Sequence, residues 1–146
     1  MPSDSTTVQK WTEFVRRLVR ASLAGQVIWK ETPSVSKILT SVNDITVVLD
    51  RGEDDQGIYF RFTIVDVFDN KVDEFTEADL DINGASIFSD LSPRGYPNWP
   101  SVLDEFFKIQ RRRITGADQV IDELISSLPA VPPPSKGDLE DDEIPF

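Results

Sequence analysis

The chain has 146 residues, with 26 acidic and 15 basic side chains, a net charge of −11, no histidine and no cysteine. These absences exclude Ser-His-Asp and Cys-His nucleophiles, disulfides, and zinc or haem sites built on His or Cys. We therefore predict that the protein is not an enzyme and needs no cofactor. No apolar run approaches the roughly 20 residues of a membrane helix, and the N-terminus lacks a signal peptide's basic flank. We expect a cytoplasmic protein with no membrane partner.

The first predicted element is an amphipathic helix over residues 8–24. Apolar residues recur there at three- and four-residue spacing: Val8, Trp11, Val15, Leu18 and Val19. Arg16, Arg17 and Arg20 occupy the opposite side, and Gly25 is a typical helix end.

An antiparallel meander of about four to five strands is predicted next. It begins with a short strand in residues 26–31 and continues with a hairpin that turns at Asn43-Asp44, since both residues tolerate positive φ. Residues 50–57 are so polar that we expect an exposed loop. Period-two alternation in residues 58–65 predicts the clearest strand, and a turn at Asp69-Asn70 leads into the last one.

Two helices are predicted to close the body. Ser101 is the expected N-cap of the first, which ends at Gly116, and Asp118 is the expected cap of the second. The second helix carries apolar residues that we expect to face a core: Val120, Ile121, Leu124, Ile125 and Leu128. The sequence thus predicts an α+β globular domain over residues 1–128.

The composition changes after Leu128. Residues 129–137 form a Pro-rich linker, and residues 138–146 form an acidic tip, which we expect to be disordered because nothing in it can pack a core. Five acids against one base give residues 129–146 a charge of −4, so about a third of the net charge lies here.

The last six residues are three acids, an aliphatic residue, proline and phenylalanine: Asp141, Asp142, Glu143, Ile144, Pro145 and Phe146. This ending resembles the C-terminal tip of bacterial single-stranded-DNA-binding protein, SSB, in which Phe must be the final residue. In that family the tip recruits helicases, exonucleases, recombination mediators, primosome proteins and polymerase subunits, so the resemblance implies such partners here. The predicted body does not resemble SSB, which begins with a barrel strand rather than a helix.

Two basic clusters are candidate binding sites for single-stranded DNA or for the acidic tip. One comprises Arg16, Arg17 and Arg20, and the other Lys108, Arg111, Arg112 and Arg113. Tyr59, Trp29 or Trp99 would stack on bases if exposed. The alternative is that both clusters are solvated helix faces with local ion pairs.

One acidic segment has the spacing of a calcium-binding EF-hand loop, through Asp79, Asp81, Asn83 and Asp90. Its twelfth position is Asp rather than the usual Glu, and Pro93 lies where the exit helix would start. A loop or hairpin turning at Asn83-Gly84 is the favoured alternative, and we predict no metal site.

These observations favour an interaction protein of bacterial, phage or plasmid DNA metabolism. It would dock through the tip onto replication, repair or recombination proteins, recruiting them or competing with SSB. Two alternatives remain. One is a single-stranded-DNA-binding protein with a non-standard fold, and the other is a small accessory or immunity-type protein-binding domain with an incidental acidic tail.

Overall fold

A computed structural model of the chain describes residues 5–91 and 97–131. The chain forms two compact units that divide between Thr115 and Gly116. The first unit contains helix α1 (Ser5–Leu23), a five-stranded sheet, two 3-10 helices and helix α2 (Trp99–Thr115). The second contains helix α3 (Ala117–Ser127). This content confirms the predicted α+β class. Residues 132–146, which include most of the predicted linker and the whole tip, lie outside the described residues.

The sheet is an antiparallel meander, as predicted. Its order follows the chain, and each strand pairs antiparallel with the next. The strands are β1 (Lys30–Glu31), β2 (Lys37–Val42), β3 (Ile45–Asp54), β4 (Gly57–Val65) and β5 (Lys71–Thr76).

The predicted two-residue turn at Asn43-Asp44 is present, whereas the turn predicted at Asp69-Asn70 is part of a longer connection over residues 66–70. Asn43 and Asp44 have φ values of 53° and 66°, so the β2–β3 hairpin has the two left-handed residues that match the twist of its strands. In the β4–β5 turn Asp69 has a φ of 67°, and the Asp66 carboxylate accepts the backbone N–H groups of Phe68 and Asn70.

The predicted loop over residues 50–57 is mostly strand. β3 extends to Asp54 and β4 begins at Gly57, so only Asp55 and Gln56 lie between them. The ladder that pairs Leu49 of β3 with Phe62 of β4 continues two residues further along, where Arg51 pairs with Phe60. Backbone hydrogen bonds can pair the polar end of a hairpin without burying its side chains. A polar composition therefore does not distinguish a loop from such a paired strand. Because side chains alternate along a strand, Arg51 lies on the same face as buried Leu49.

The core lies between one face of the sheet and the helices. The buried strand residues on this face are Ile38, Thr40, Val47, Leu49, Phe60, Phe62 and Phe75. Helices α1 and α2 cover them with Val15, Leu18, Val19, Val102, Leu103 and Phe106. Aromatic rings connect the layers: Phe62 stacks on Phe75 at 5.3 Å between centroids, and Phe60 contacts Phe107 at 6.2 Å.

The segment after β5 forms 3-10 helices at Glu77–Asp79 and Ile82–Leu91, not a hairpin at Asn83-Gly84. A Cβ on Gly84 would lie 2.5 Å from Thr12 Cγ2 and 3.1 Å from Trp99 Cζ2, so the segment packs too closely for any larger residue. Trp99 Nε1 also donates a hydrogen bond to the Asp81 carbonyl at 2.8 Å. Tertiary packing therefore determines this conformation.

The C-terminal helices begin at other residues than predicted. Asn98, not Ser101, caps α2: its Oδ1 accepts the Ser101 backbone N–H at 2.9 Å. Gly116, with a φ of 67°, occupies the N-cap position of α3. The apolar residues of α3, predicted to face a core, are all exposed: Val120, Ile121, Leu124, Ile125 and Leu128.

We predict that Phe62→Ala lowers the free energy of unfolding by about 3–5 kcal/mol, because it leaves a cavity among fully buried rings. Phe68→Ala is the matched control, since that ring is 80% exposed, and should change stability by less than about 0.5 kcal/mol. Urea unfolding followed by circular dichroism measures both, and equal losses would contradict the packing described.

Candidate functional site

The predicted partner-binding tip, Asp141–Phe146, lies outside the described residues. The structure therefore bears on the other predicted sites: the two basic clusters, the candidate stacking aromatics and the EF-hand-like segment.

The α1 cluster is divided between two different roles. Arg16 and Arg17 both pair with Glu13, at 3.5 Å and 2.6 Å, and the hydrogen bond from Arg17 lowers the pKa of Glu13. Arg20 instead donates to both carboxylate oxygens of Asp90, at 3.0 and 3.1 Å. This hydrogen bonding lowers the pKa of Asp90. Each of these three arginines therefore has a carboxylate partner in the first unit.

Arg20 also holds the second 3-10 helix against α1. Its Nη2 donates to the Ile87 carbonyl at 2.8 Å, and its guanidinium lies 4.6 Å from the centre of the Phe88 ring. These contacts, with the Asp90 pair, indicate a structural role.

Arg113, at the end of α2, binds the C-terminal end of α1. Its Nη1 donates to the Ser22 carbonyl at 2.6 Å, and its Nη2 donates to the Leu23 carbonyl at 3.0 Å. The last carbonyls of a helix have no partner within the helix, and they carry the negative end of its dipole. The guanidinium of Arg113 donates hydrogen bonds to these carbonyls and places a positive charge at the negative end of the dipole. Arg113 therefore joins the two helices.

The remaining cations of the α2 cluster surround a cavity, which we call the α2 cavity. Its volume is about 460 Å³, and its lining is Arg51, Phe107, Lys108, Arg111 and Arg112. Helix α2 contributes four of these residues within two turns, and the end of β3 contributes Arg51. The structure thus brings together three of the four predicted α2 cations.

Arg51 is the member of this site that the sequence reasoning missed, because residues 50–57 were predicted to form a loop. One signal was available: the buried alternation of Val47 and Leu49 extends in steps of two to Arg51. Its Nε lies 3.0 Å from Asp104 Oδ1, which connects the sheet to α2.

Two other cavities of the first unit differ in charge from the α2 cavity. One, of about 470 Å³, has Lys10 and Asp73 beside Trp11, Phe14 and other apolar groups. Another, of about 430 Å³, has Arg61 together with Asp54 and Glu77. Of these three cavities, the α2 cavity is the one whose lining contains cations and no acidic residue.

The stacking role proposed for two tryptophans is wrong, because both are buried in the core. Trp29 donates from Nε1 to Ser22 Oγ at 2.9 Å, and Trp99 contacts Phe88. Tyr59 is half-buried, with the Arg61 guanidinium 5.3 Å from its ring centre.

The EF-hand-like residues have separate partners. Asp79 accepts the Thr76 backbone N–H, Asp81 accepts that of Asn83, and Asp90 pairs with Arg20. Within residues 5–91 and 97–131, no group of three or more acids is placed to hold a metal ion.

No family model, curated protein or solved structure matches this chain. No helix among the described residues is long and apolar enough to cross a membrane.

We predict that Arg113→Ala lowers the free energy of unfolding by about 1–2 kcal/mol, because two helix carbonyls lose a charged donor. Arg17→Ala, which removes an exposed ion pair on α1, should cost less than about 0.5 kcal/mol. Chemical denaturation measures both free energies of unfolding. Similar losses for the two variants would contradict the proposed role of Arg113 in joining the helices.

Proposed function

We propose that this chain is a non-enzymatic interaction protein of bacterial, phage or plasmid DNA metabolism. The last six residues of its tip, residues 141–146, dock onto replication, repair or recombination proteins that recognise the SSB tip. It recruits these proteins or competes with SSB for them. The observation that carries the proposal is the order of three acids, Ile144, Pro145 and Phe146 after a Pro-rich linker.

Each part of the tip has a physical role in docking. Phe146 offers a large apolar ring close to several carboxylates, so one pocket with a cation at its rim can bind the ring and an acid together. Pro145 restricts the backbone, which reduces the entropy lost on binding. The acids add a salt-dependent attraction to a basic surface.

Three carboxylates of the first unit have structural partners. Glu77 accepts the Phe60 backbone N–H at 2.8 Å where β5 ends, and so completes the edge of the sheet. Asp73 accepts the Trp11 indole N–H at 2.8 Å, and Asp90 pairs with Arg20. Each of these carboxylates holds elements of the fold together.

A second candidate function is binding of single-stranded DNA by the body, and the cations of the α2 cavity favour it. Base stacking would have to come from residues other than Trp29 and Trp99, which are buried. Anisotropy of a labelled oligothymidylate tests this function. Binding that weakens steeply with salt and is lost on charge reversal at Arg111 and Arg112 would support it.

For the proposed docking, we predict that Phe146→Ala weakens binding to an SSB-tip-binding exonuclease or helicase by about 30-fold or more. A buried aromatic anchor of this kind contributes about 2 kcal/mol or more to binding. Titration calorimetry of the full chain against the purified partner provides the measurement. Added salt should weaken wild-type binding as well.

Leu139→Ala is the matched control, because it removes an apolar residue of the tail outside the Ile-Pro-Phe ending. It should bind nearly as tightly as the wild type. A second variant, with one glycine added after Phe146, tests the need for a carboxylate beside the ring. Equal binding by the wild type and Phe146→Ala would contradict the docking proposal.

A further inference from the structure

The α2 cavity combines an apolar floor with a rim of cations. Its lining consists of Phe107, which is buried, and the side chains of one lysine and three arginines. Long basic side chains bury their aliphatic stems and keep their charges at the surface. The cavity therefore offers apolar contact and positive charge within about 460 Å³.

The positive charge is only partly neutralised by the protein's own acids. Asp104 lies 3.0 Å from Arg51 Nε and 3.3 Å from Lys108 Nζ, so one carboxylate serves two cations. Arg111 forms no ion pair with any carboxylate of the described residues, and its Nη1 is buried without a hydrogen-bond partner among them. The site thus favours an anion.

We propose that the α2 cavity binds the acidic tip, residues 138–146, of this same protein. The inference rests on the tip being a docking peptide, as the proposed function requires. The Phe146 ring and Ile144 lie against Phe107 and the aliphatic stems. The tip's carboxylates pair with Arg111, Arg112 and Lys108.

Charge complementarity selects the tip over other parts of the chain. Residues 138–146 contain five acids and no base, together with Leu139 and the Ile-Pro-Phe ending. The cavity provides the complementary set of four cations around an aromatic ring. The other two cavities described above place an acid in their lining, where it would repel the tip.

The chain beyond α2 is long enough to supply the tip. Helix α3 has 11 residues, about 16 Å of helix, and the 19 residues from Leu128 to Phe146 span about 60 Å when extended. This length lets the tip reach a site on α2 of the same molecule.

The test uses a fluorescein-labelled peptide of residues 138–146 and the full chain carrying Phe146→Ala, so that the protein's own tip does not compete. We expect saturable binding by anisotropy, weakened at least tenfold by Lys108→Glu with Arg112→Glu. Both side chains are exposed, so these changes spare the core. The matched control is Lys10→Glu with Arg17→Glu on α1, which alters the net charge equally and should leave affinity within about twofold.

Wild-type protein should bind the labelled peptide about tenfold more weakly than Phe146→Ala, because a tethered tip acts at an effective concentration near millimolar. A peptide ending in Ala should not bind, and this control leaves the protein unchanged. Equal binding by the wild type and Phe146→Ala would overturn the inference. The inference would also be overturned if the peptide no longer bound the α1 control (Lys10→Glu with Arg17→Glu) but still bound the α2 variant (Lys108→Glu with Arg112→Glu).

Two further measurements separate this inference from the other proposals. Unlabelled oligothymidylate that displaces the peptide at lower concentration than unlabelled peptide would identify a nucleic-acid site and overturn the inference. If the labelled peptide binds an SSB-tip-binding exonuclease but not this body, the inference fails while the proposed function stands. If it binds the body but not the exonuclease, the proposed function fails instead.

Discussion

The apolar face of the antiparallel sheet must be covered, and the arrangement of the first unit follows from that requirement. Phe60 and Phe62 at the centre of this face are fully buried and would otherwise expose large rings to water. Helices α1 and α2 both pack there, although the whole sheet separates them in sequence. Arg113 then joins the helices by donating to the last carbonyls of α1. Burial thus brings distant segments together, and hydrogen bonds fix their geometry.

The same packing determines which cations remain to bind a ligand. Arg20 and Arg113 lie where elements meet, and each is used to hold one element against another. Arg51, Lys108 and Arg111 lie at the margin of the helix–sheet interface, beside Phe107, where the core meets solvent. A basic sequence cluster is therefore divided by position. Residues that donate to the backbone of another element stabilise the fold, and residues that line the α2 cavity form the candidate site.

Sequence reasoning succeeded where one physical signal dominated. Period-two alternation located Phe60 and Phe62, and the Asn43-Asp44 pair located a hairpin, because both signals are local. It failed at residues 50–57, since polar composition is shared by loops and by the solvent-exposed ends of paired strands. Arg51 was missed for that reason. The 3-10 segment at Gly84 depends on contacts with Thr12 of α1 and with Trp99, which no local pattern encodes. The N-cap at Asn98 is a local signal that was assigned to Ser101 instead, since both residue types are favoured N-caps.

The tip is a different kind of prediction, because the docking role proposed for it depends only on the linear order of its residues. Its prediction needed no knowledge of the fold. The α2 cavity is the opposite case, since it unites β3 with α2 and is visible only once the chain is folded.

The order of elements along the chain has a consequence for protein synthesis. The sheet is complete at Thr76, but α2, which covers its aromatic face, ends 39 residues later at Thr115. At typical translation rates this interval lasts about 2–8 s, during which Phe60 and Phe62 have no cover from α2. The nascent meander is thus the stage most open to aggregation or to capture by a chaperone.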